Sequence, residues 1–286
     1  MLRMHLTGCQ NRAYTCGRGM MTVRRRRLLV LGMLAVAGAI LTAGASAQST
    51  FKALQSKAQA GDARAQFNLG FLYYHGQGVA LDHAQAAHWY NKAAEQGLAE
   101  AQVNLGHLYA HGEGIPQDYA QAAVWWHKAA EQGSAEAQYN LGFIYAHGQG
   151  VPQDNVQAAI WWRKAADQGY AQGQFDLGRL YDKGEGVPQD FALAAVLYRK
   201  AADQGLAGAQ FFLGTLNSLG QGVPQNFVEA YFWLDLAAAG NLNTEGLKQE
   251  DAIEVRDQTA VFLTPSQLSQ VQARASKWFV AHPVSK

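Results

Sequence analysis

After Cys16 the chain has no further cysteine; Cys9 and Cys16 are the only two among 286 residues. That excludes a disulfide framework or a cysteine zinc site for everything downstream. Proline is scarce, with 6 in the chain, so helices can run unbroken between the few places where it stands. There is no G-x-S-x-G, no phosphate-binding loop and no dinucleotide fingerprint. Ser49-Thr50-Phe51-Lys52 has the S-x-x-K spacing of penicillin-recognising enzymes, but no K-T-G or S-D-N follows, so the match is read as chance. Catalytic residues and cofactors are therefore not assigned.

Acidic residues are absent before Ala47. All 22 lie after it, whereas 7 of the 23 Lys and Arg precede it. Arg24 to Arg27 form a charged cluster, Leu28 to Leu41 an apolar run, and Ala45-Ser46-Ala47 a small-residue cleavage site. This is the pattern of an export signal. Residues 1–47 are read as a signal peptide cleaved after Ala47, with 1–19 upstream of the true start, because Met20 or Met21 would give an ordinary n-region. The apolar run is short for a membrane span, which needs about 20 residues, and no Cys follows the small residues to carry a lipid. The expectation is a periplasmic or secreted protein with no stable membrane insertion after cleavage; a retained N-terminal anchor is the alternative. From Gln48 onward 16 basic residues face 22 acidic ones, a net charge of −6. A chain without a Lys/Arg stripe is a poor partner for nucleic acid.

What the chain does have is a period. Gly61, Gly97, Gly133, Gly169 and Gly205 are 36 residues apart, and a Leu-Gly pair recurs from Leu69-Gly70 to Leu213-Gly214. A Gly-x-Gly follows each pair, from Gly76/Gly78 to Gly220/Gly222. Then comes a bulky column, Trp89, Trp125, Trp161, Leu197 and Trp233, and each unit closes on Ala-Ala. Internal repeats of this length signal a solenoid. Ala137, Leu141, Ile144 and Tyr145 fall on one helical stripe, which predicts a helix A over about Ala135 to His147. Gly142 inside it implies a close helix crossing, since a mid-helix Gly otherwise costs about 1 kcal/mol. Gly148 to Gln153 ends helix A, and Asp154-x-x-Gln157 predicts a capping box at the start of helix B. Asp82/Gln85, Asp118/Gln121 and Asn226/Glu229 repeat the pattern; at Asp190 the return partner is lost, because Leu193 replaces it. Ala158, Trp161, Ala165 and Ala166 should face inward.

Five repeats result: 61–96, 97–132, 133–168, 169–204 and 205–240. Phe51 to Ala60 resembles the second half of a helix B, and residues 48–60 are read as an N-terminal cap. Residues 241–286 are read as a C-terminal helical cap, with one helix over about Thr244 to Leu263 and a second starting at Thr264-Pro265.

The unit A-x-A-Q-x-x-L-G-x-x-Y…G-x-G-V-P-Q-D…A-A-x-W-W…K-A-A-x-Q-G, taken from Ala135 to Gly169 with slight variation, resembles the Sel-1-like repeat family, relatives of tetratricopeptide repeats. The resemblance covers residues 61–240, and the tail with Arg256-Asp257 and Leu263-Thr264-Pro265 resembles the C-terminal cap of bacterial members. It implies an all-α fold, a right-handed α-solenoid of tandem helix-turn-helix repeats with a helical C-terminal cap. It also implies an adaptor or scaffold in the cell envelope that binds a protein or peptide, with a peptidoglycan-associated complex among the candidate partners. A disulfide-rich branch is linked to β-lactam binding or hydrolysis; the repeats here lack its cysteines. The alternatives are a cell-wall or β-lactam-acting enzyme and a structural envelope component.

One candidate site follows. Asn68, Asn104, Asn140 and Asp176 precede the Leu-Gly pair, with Phe71, His107, Phe143 and Arg179 three residues on. In tetratricopeptide relatives the matching helix-A position faces the concave groove, where an Asn amide pairs a ligand's backbone. The alternative is that these asparagines bond a neighbouring helix and fix repeat geometry. Phe212 breaks the column in the fifth repeat, so a groove should be open across the first four. His75, His111 and His147 form another column, but adjacent repeats hold them too far apart for one metal. They are read as solvated or loop-capping, and no metal site is assigned.

Overall fold

The computed structural model describes residues 49–240, 242 and 246–282. The expected signal at 1–47, with both cysteines, lies outside the described residues, as does the expected helix start at Thr244. The chain divides into two units, Met1–Ala53 and Leu54–Lys286, and the repeats and their cap all lie in the second.

Residues 49–59 form a first helix, α1. Five helix pairs of 13 residues per helix follow. They are α2 (Ala63–His75) with α3 (His83–Glu95), α4 (Ala99–His111) with α5 (Tyr119–Glu131), and α6 (Ala135–His147) with α7 (Asn155–Asp167). The last two are α8 (Ala171–Lys183) with α9 (Phe191–Asp203), and α10 (Ala207–Leu219) with α11 (Phe227–Ala239). From α2 to α11 each helix packs on the next in sequence, so the described residues build an α-solenoid. The expected Ala135–His147 helix is α6.

The caps explain these boundaries. Each A helix ends on a left-handed Gly, such as Gly148 with φ 65. Each B helix of the first four repeats runs into a left-handed Gly, such as Gly169 with φ 85. There the next N–H turns back to a carbonyl inside the helix, as Tyr170 does to Ala165 at 3.1 Å; this is a Schellman-type stop. Asp82, Asp118, Asp154, Asp190 and Asn226 accept early N–H groups of the B helices. The expected return bond is not what satisfies the capping residue. Its own N–H instead reaches the carbonyl nine residues back in helix A, as Asp154 does to Tyr145 at 2.8 Å and Asp190 to Tyr181 at 2.9 Å. Leu193 therefore costs the fourth repeat nothing at this position.

Packing rests on small residues against rings. A Cβ on Gly106 would lie 2.4 Å from Trp126 Nε1, and one on Gly142 2.3 Å from Trp162 Cδ1. Tyr90, Tyr198 and Leu234 occupy the same notch over Gly70, Gly178 and Gly214. The expected column at Trp89, Trp125, Trp161, Leu197 and Trp233 is buried as well, with Lys128 and Lys164 ammoniums 4.0 and 3.9 Å from the Trp125 and Trp161 ring centres.

Adjacent repeats are joined by glutamines. Gln66, Gln102, Gln138, Gln174 and Gln210 are buried. Their amides donate to Ala58, Ala94, Ala130, Ala166 and Ala202 carbonyls at the end of the preceding helix. Burying an amide is tolerable only when it is bonded in this way. The loops add a second joint. A Cβ on Gly150 would lie 2.4 Å from the Ala120 nitrogen, and the loop glycines Gly114, Gly186 and Gly222 press equally on the preceding B helix.

The cap consists of α12 (Gln249–Ala260) and α13 (Pro265–Ala281), both packed on α11. Of the expected helix over about Thr244 to Leu263, residues 246–248 and 261–263 are not helical; Asp251 accepts the Lys248 N–H and starts α12 there. At its end the chain turns through Val261 to Leu263. The start of α13 is as expected, with a complete Thr264/Gln267 capping box and Pro265 in the first turn. Among the described residues no helix is long and apolar enough to cross a membrane.

Candidate functional site

The A helices α2, α4, α6, α8 and α10 place the expected site columns in notches between neighbours. The notches share one plan, and each repeat pair fills it differently.

In the first notch, between repeats one and two, Phe71, Tyr74 and His75 of α2, Tyr90 of α3, and Asn104, His107 and Leu108 of α4 line a cavity of about 190 Å³. Tyr90 and Leu108 are buried and form its floor, while Phe71 is 38% exposed at its wall. The phenol groups are already engaged. Burial pushes the Tyr90 hydroxyl up to about 12, opposed by a hydrogen bond from Asn104. Donation to the Glu113 carboxylate raises that of Tyr74. What the cavity offers is mainly ring surface.

In the second notch His107 reaches across. Its Nε2–H donates to Glu136 Oε1 at 2.9 Å and lies 3.4 Å from Asn140 Nδ2. Its ring meets Trp126 edge-on at 5.3 Å. The His107 bond holds the Glu136 carboxyl below its usual range.

In the third notch Arg179 Nη1 donates to Asp176 at 3.2 Å, and the Tyr139 hydroxyl bonds the same carboxylate. Burial pushes the Asp176 carboxyl up, against the pull of Arg179. A cavity of about 130 Å³ opens here, with His147, Trp162, Asp176, Arg179 and Lys183 in its wall.

In the fourth notch Phe212 occupies the column and stacks on Tyr198, with ring centres 5.4 Å apart. The Tyr198 hydroxyl donates to Asp182 at 3.1 Å.

The structure thus brings Phe71, Asn104 and His107 together, links His107 to Asn140, and pairs Asp176 with Arg179. Asn68 is exposed at the start of the column. Phe143 stacks on His147 at 4.0 Å. His111 and His147 bond carbonyls four residues back in their own helices. Among the described residues no cluster of three or more His, Cys, Asp or Glu side chains could hold a metal ion. Tyr74, Tyr90, Trp162 and Lys183 escaped the sequence reading. Tyr90 and Trp162 belong to a column one residue after the tryptophans, at the same 36-residue spacing, and that spacing was the available signal.

The family model described as Sel1 repeat matches residues 63–98, 99–134, 135–170, 171–206 and 207–242; each match opens on the first residue of an A helix. A solved Sel1 repeat protein from Oxalobacter formigenes is 30% identical, with a TM-score of 0.66, over 82% of this chain and 98% of that one. A protective antigen of uropathogenic Escherichia coli displaying an SLR fold is 27% identical with a TM-score of 0.46, over 81% of this chain and 64% of that one. A putative Sel1 repeat protein from Klebsiella pneumoniae is 25% identical with a TM-score of 0.44, over 73% of this chain and 99% of that one. None of the curated proteins compared with the chain matches it.

Proposed function

The chain belongs to the Sel1 repeat family, whose solenoids generally mediate contacts between proteins, and on that premise we propose that it is an exported envelope scaffold that binds a protein partner or extended peptide along its A-helix face. The supporting observation is a division of labour on that face. The buried glutamines carry the hydrogen bonds that join the repeats. Asn104 bonds the Tyr90 hydroxyl at the wall of an open cavity and Asn140 lies 3.4 Å from His107 of the neighbouring repeat, so the asparagines touch their neighbours through side chains and take no part in the glutamine joint. A repeated position on stacked units becomes a ladder that a repeating backbone can match.

The test is the double variant Asn104→Ala with Asn140→Ala, assayed against a partner captured by cross-linking in intact cells. The expected result is lost binding with nearly unchanged thermal unfolding. A large fall in unfolding temperature with binding retained would mean that the asparagines hold the stack. Export is tested by N-terminal sequencing of the protein from the periplasm or medium, with Gln48 expected first; an intact N-terminus in the membrane fraction overturns it. A scaffold also turns over neither nitrocefin nor peptidoglycan. Saturable turnover abolished by one point substitution would establish the enzyme alternative instead.

A further inference from the structure

The first and fourth notches are built alike up to a point. Phe67 lies 5.6 Å from Tyr90 at an interplanar angle of 38°, and Phe175 lies 5.8 Å from Tyr198 at 41°. A Cβ on Gly70 would sit 2.8 Å from the Tyr90 ring, and one on Gly178 2.9 Å from the Tyr198 ring. Each tyrosine is therefore pinned the same way by its own helix A. They differ on the side facing the next repeat. There Tyr198 meets Phe212, stacked at 5.4 Å and 25°, while Tyr90 meets Asn104, the residue three repeat lengths before Phe212, and a cavity of about 190 Å³.

We propose that the first notch is the receptor for an aromatic side chain of the bound partner, which stacks on Tyr90 as Phe212 stacks on Tyr198. The occupant is argued from the chain itself: one repeat pair supplies from within the ring that the other leaves out. Offset and tilted ring pairs at such separations are favourable beyond their area, and buried aromatic anchors dominate binding where they fill a pocket. The Tyr90 and Tyr74 hydroxyls are bonded to Asn104 and Glu113, which leaves ring faces to receive the guest. The inference names the ligand chemistry of the A-helix face and rests on that face being the binding surface.

The probe is N-acetyl-4-fluorophenylalaninamide, titrated into the purified protein and followed by fluorine NMR, with N-acetylalaninamide as a competing control. Saturable broadening that the alanine compound does not reverse is expected. Asn104→Phe plants the missing ring and should weaken probe binding about two- to tenfold, the size of one lost ring pair; because it also takes the Asn104 partner from the buried Tyr90 hydroxyl, circular dichroism at the titration temperature checks that the repeat helices are intact. Phe71→Ala, at an exposed wall position, should also weaken binding. Phe212→Asn should open a second site and raise the stoichiometry. No saturable binding to the unaltered protein, or binding indifferent to both Asn104→Phe and Phe71→Ala, overturns the proposal. Failure of the two readings can be told apart. Probe binding lost in Asn104→Phe while the cross-linked partner still binds would leave the cavity an aromatic site and remove the face from partner recognition. Partner binding lost in the Asn104/Asn140 double variant with no probe binding would keep the face and remove the aromatic anchor.

Discussion

Gln168, at the end of α7, donates its side-chain amide to Gln138 at 2.8 Å, and Gln138 passes its own amide hydrogen to the Ala130 carbonyl of α5 at 3.2 Å. A buried amide, Gln138, and an exposed one, Gln168, thus tie three consecutive helices across the boundary of repeats two and three. Gln96 with Gln66, Gln132 with Gln102 and Gln204 with Gln174 repeat the relay at 2.7 to 2.9 Å. Gln138→Leu keeps much of the volume and removes both bonds. Leaving a buried polar partner unsatisfied costs about 1–3 kcal/mol, so unfolding should fall by roughly 3–8 °C for a domain of this size. Gln172→Ala, at an exposed position of α8, should stay within about 0.5 kcal/mol. Equal melts for the two variants would show that the relay contributes nothing.

The loop glycines separate backbone strain from contact. Gly78 and Gly150 occupy equivalent positions with φ 74 and 69. An alanine at either is strained by about 1–2 kcal/mol in the left-handed region. Among the described residues a Cβ at Gly78 meets nothing within 4 Å, whereas at Gly150 it meets the Tyr119–Ala120 backbone at 2.4 Å. Gly150→Ala should therefore destabilise clearly more than Gly78→Ala, which chemical denaturation of the two variants measures. Matching losses would mean that the loop yields and is not a joint between repeats.

The same contrast explains what could be read before the structure. Gly70 to Gly214 and the tryptophan column stood out because each residue type has one mechanical reason to recur at 36 residues, so helix pairs and their limits followed closely. The capping aspartates were equally visible, but the fate of their N–H groups was not, since Tyr145 and Asp154 meet only through the loop's path. The glutamine joint was missed because Gln usually marks a solvated surface; only its place in A-x-A-Q hinted at burial. Within the site, the columns were legible and the notches were not. Whether a notch stands open depends on how far a neighbour's side chain reaches across, as His107 does to Glu136 and Phe212 does to Tyr198.

The His107–Glu136 bond has a pH signature. The bond from His107 depresses the Glu136 carboxyl in the folded protein. A depressed acid contributes stability that is fully present above its unfolded value and is lost as pH falls through the folded one. The Glu136 side chain is 52% exposed, so solvent screening limits the pair to well under about 1 kcal/mol, or roughly 1–2 °C. Glu136→Gln should melt slightly below the unaltered protein at about pH 6, and the gap should close towards about pH 3. A gap that persists at the acid end would assign the effect to lost packing and not to charge.

In every repeat a glutamine of the incoming helix meets the terminal alanine carbonyl of the preceding one. Beyond the fifth repeat the period is lost, yet Gln249 of α12 still donates to Ala238, which stands where Ala202 stands one repeat earlier. The cap therefore imitates a sixth A helix at this joint, and Ala252 is buried in one cluster with Leu234, Ala237 and Ala238. On another side Val271 and Ala275 of α13 join Phe232 and Leu197, with the Arg274 guanidinium 3.8 Å above the Phe232 ring. Terminal elements with a solvated outer side are what keep a solenoid from offering an open apolar end. A chain stopped after Gly240 would expose the Leu234 and Phe232 surfaces together, and it should associate with itself in light scattering even where circular dichroism still reports the repeat helices. Gln249→Ala in the full chain should lower the melting temperature by roughly 2–4 °C, the worth of about 1 kcal/mol, without association. A truncated chain that remains monomeric and melts like the original would show that the fifth repeat closes the stack unaided.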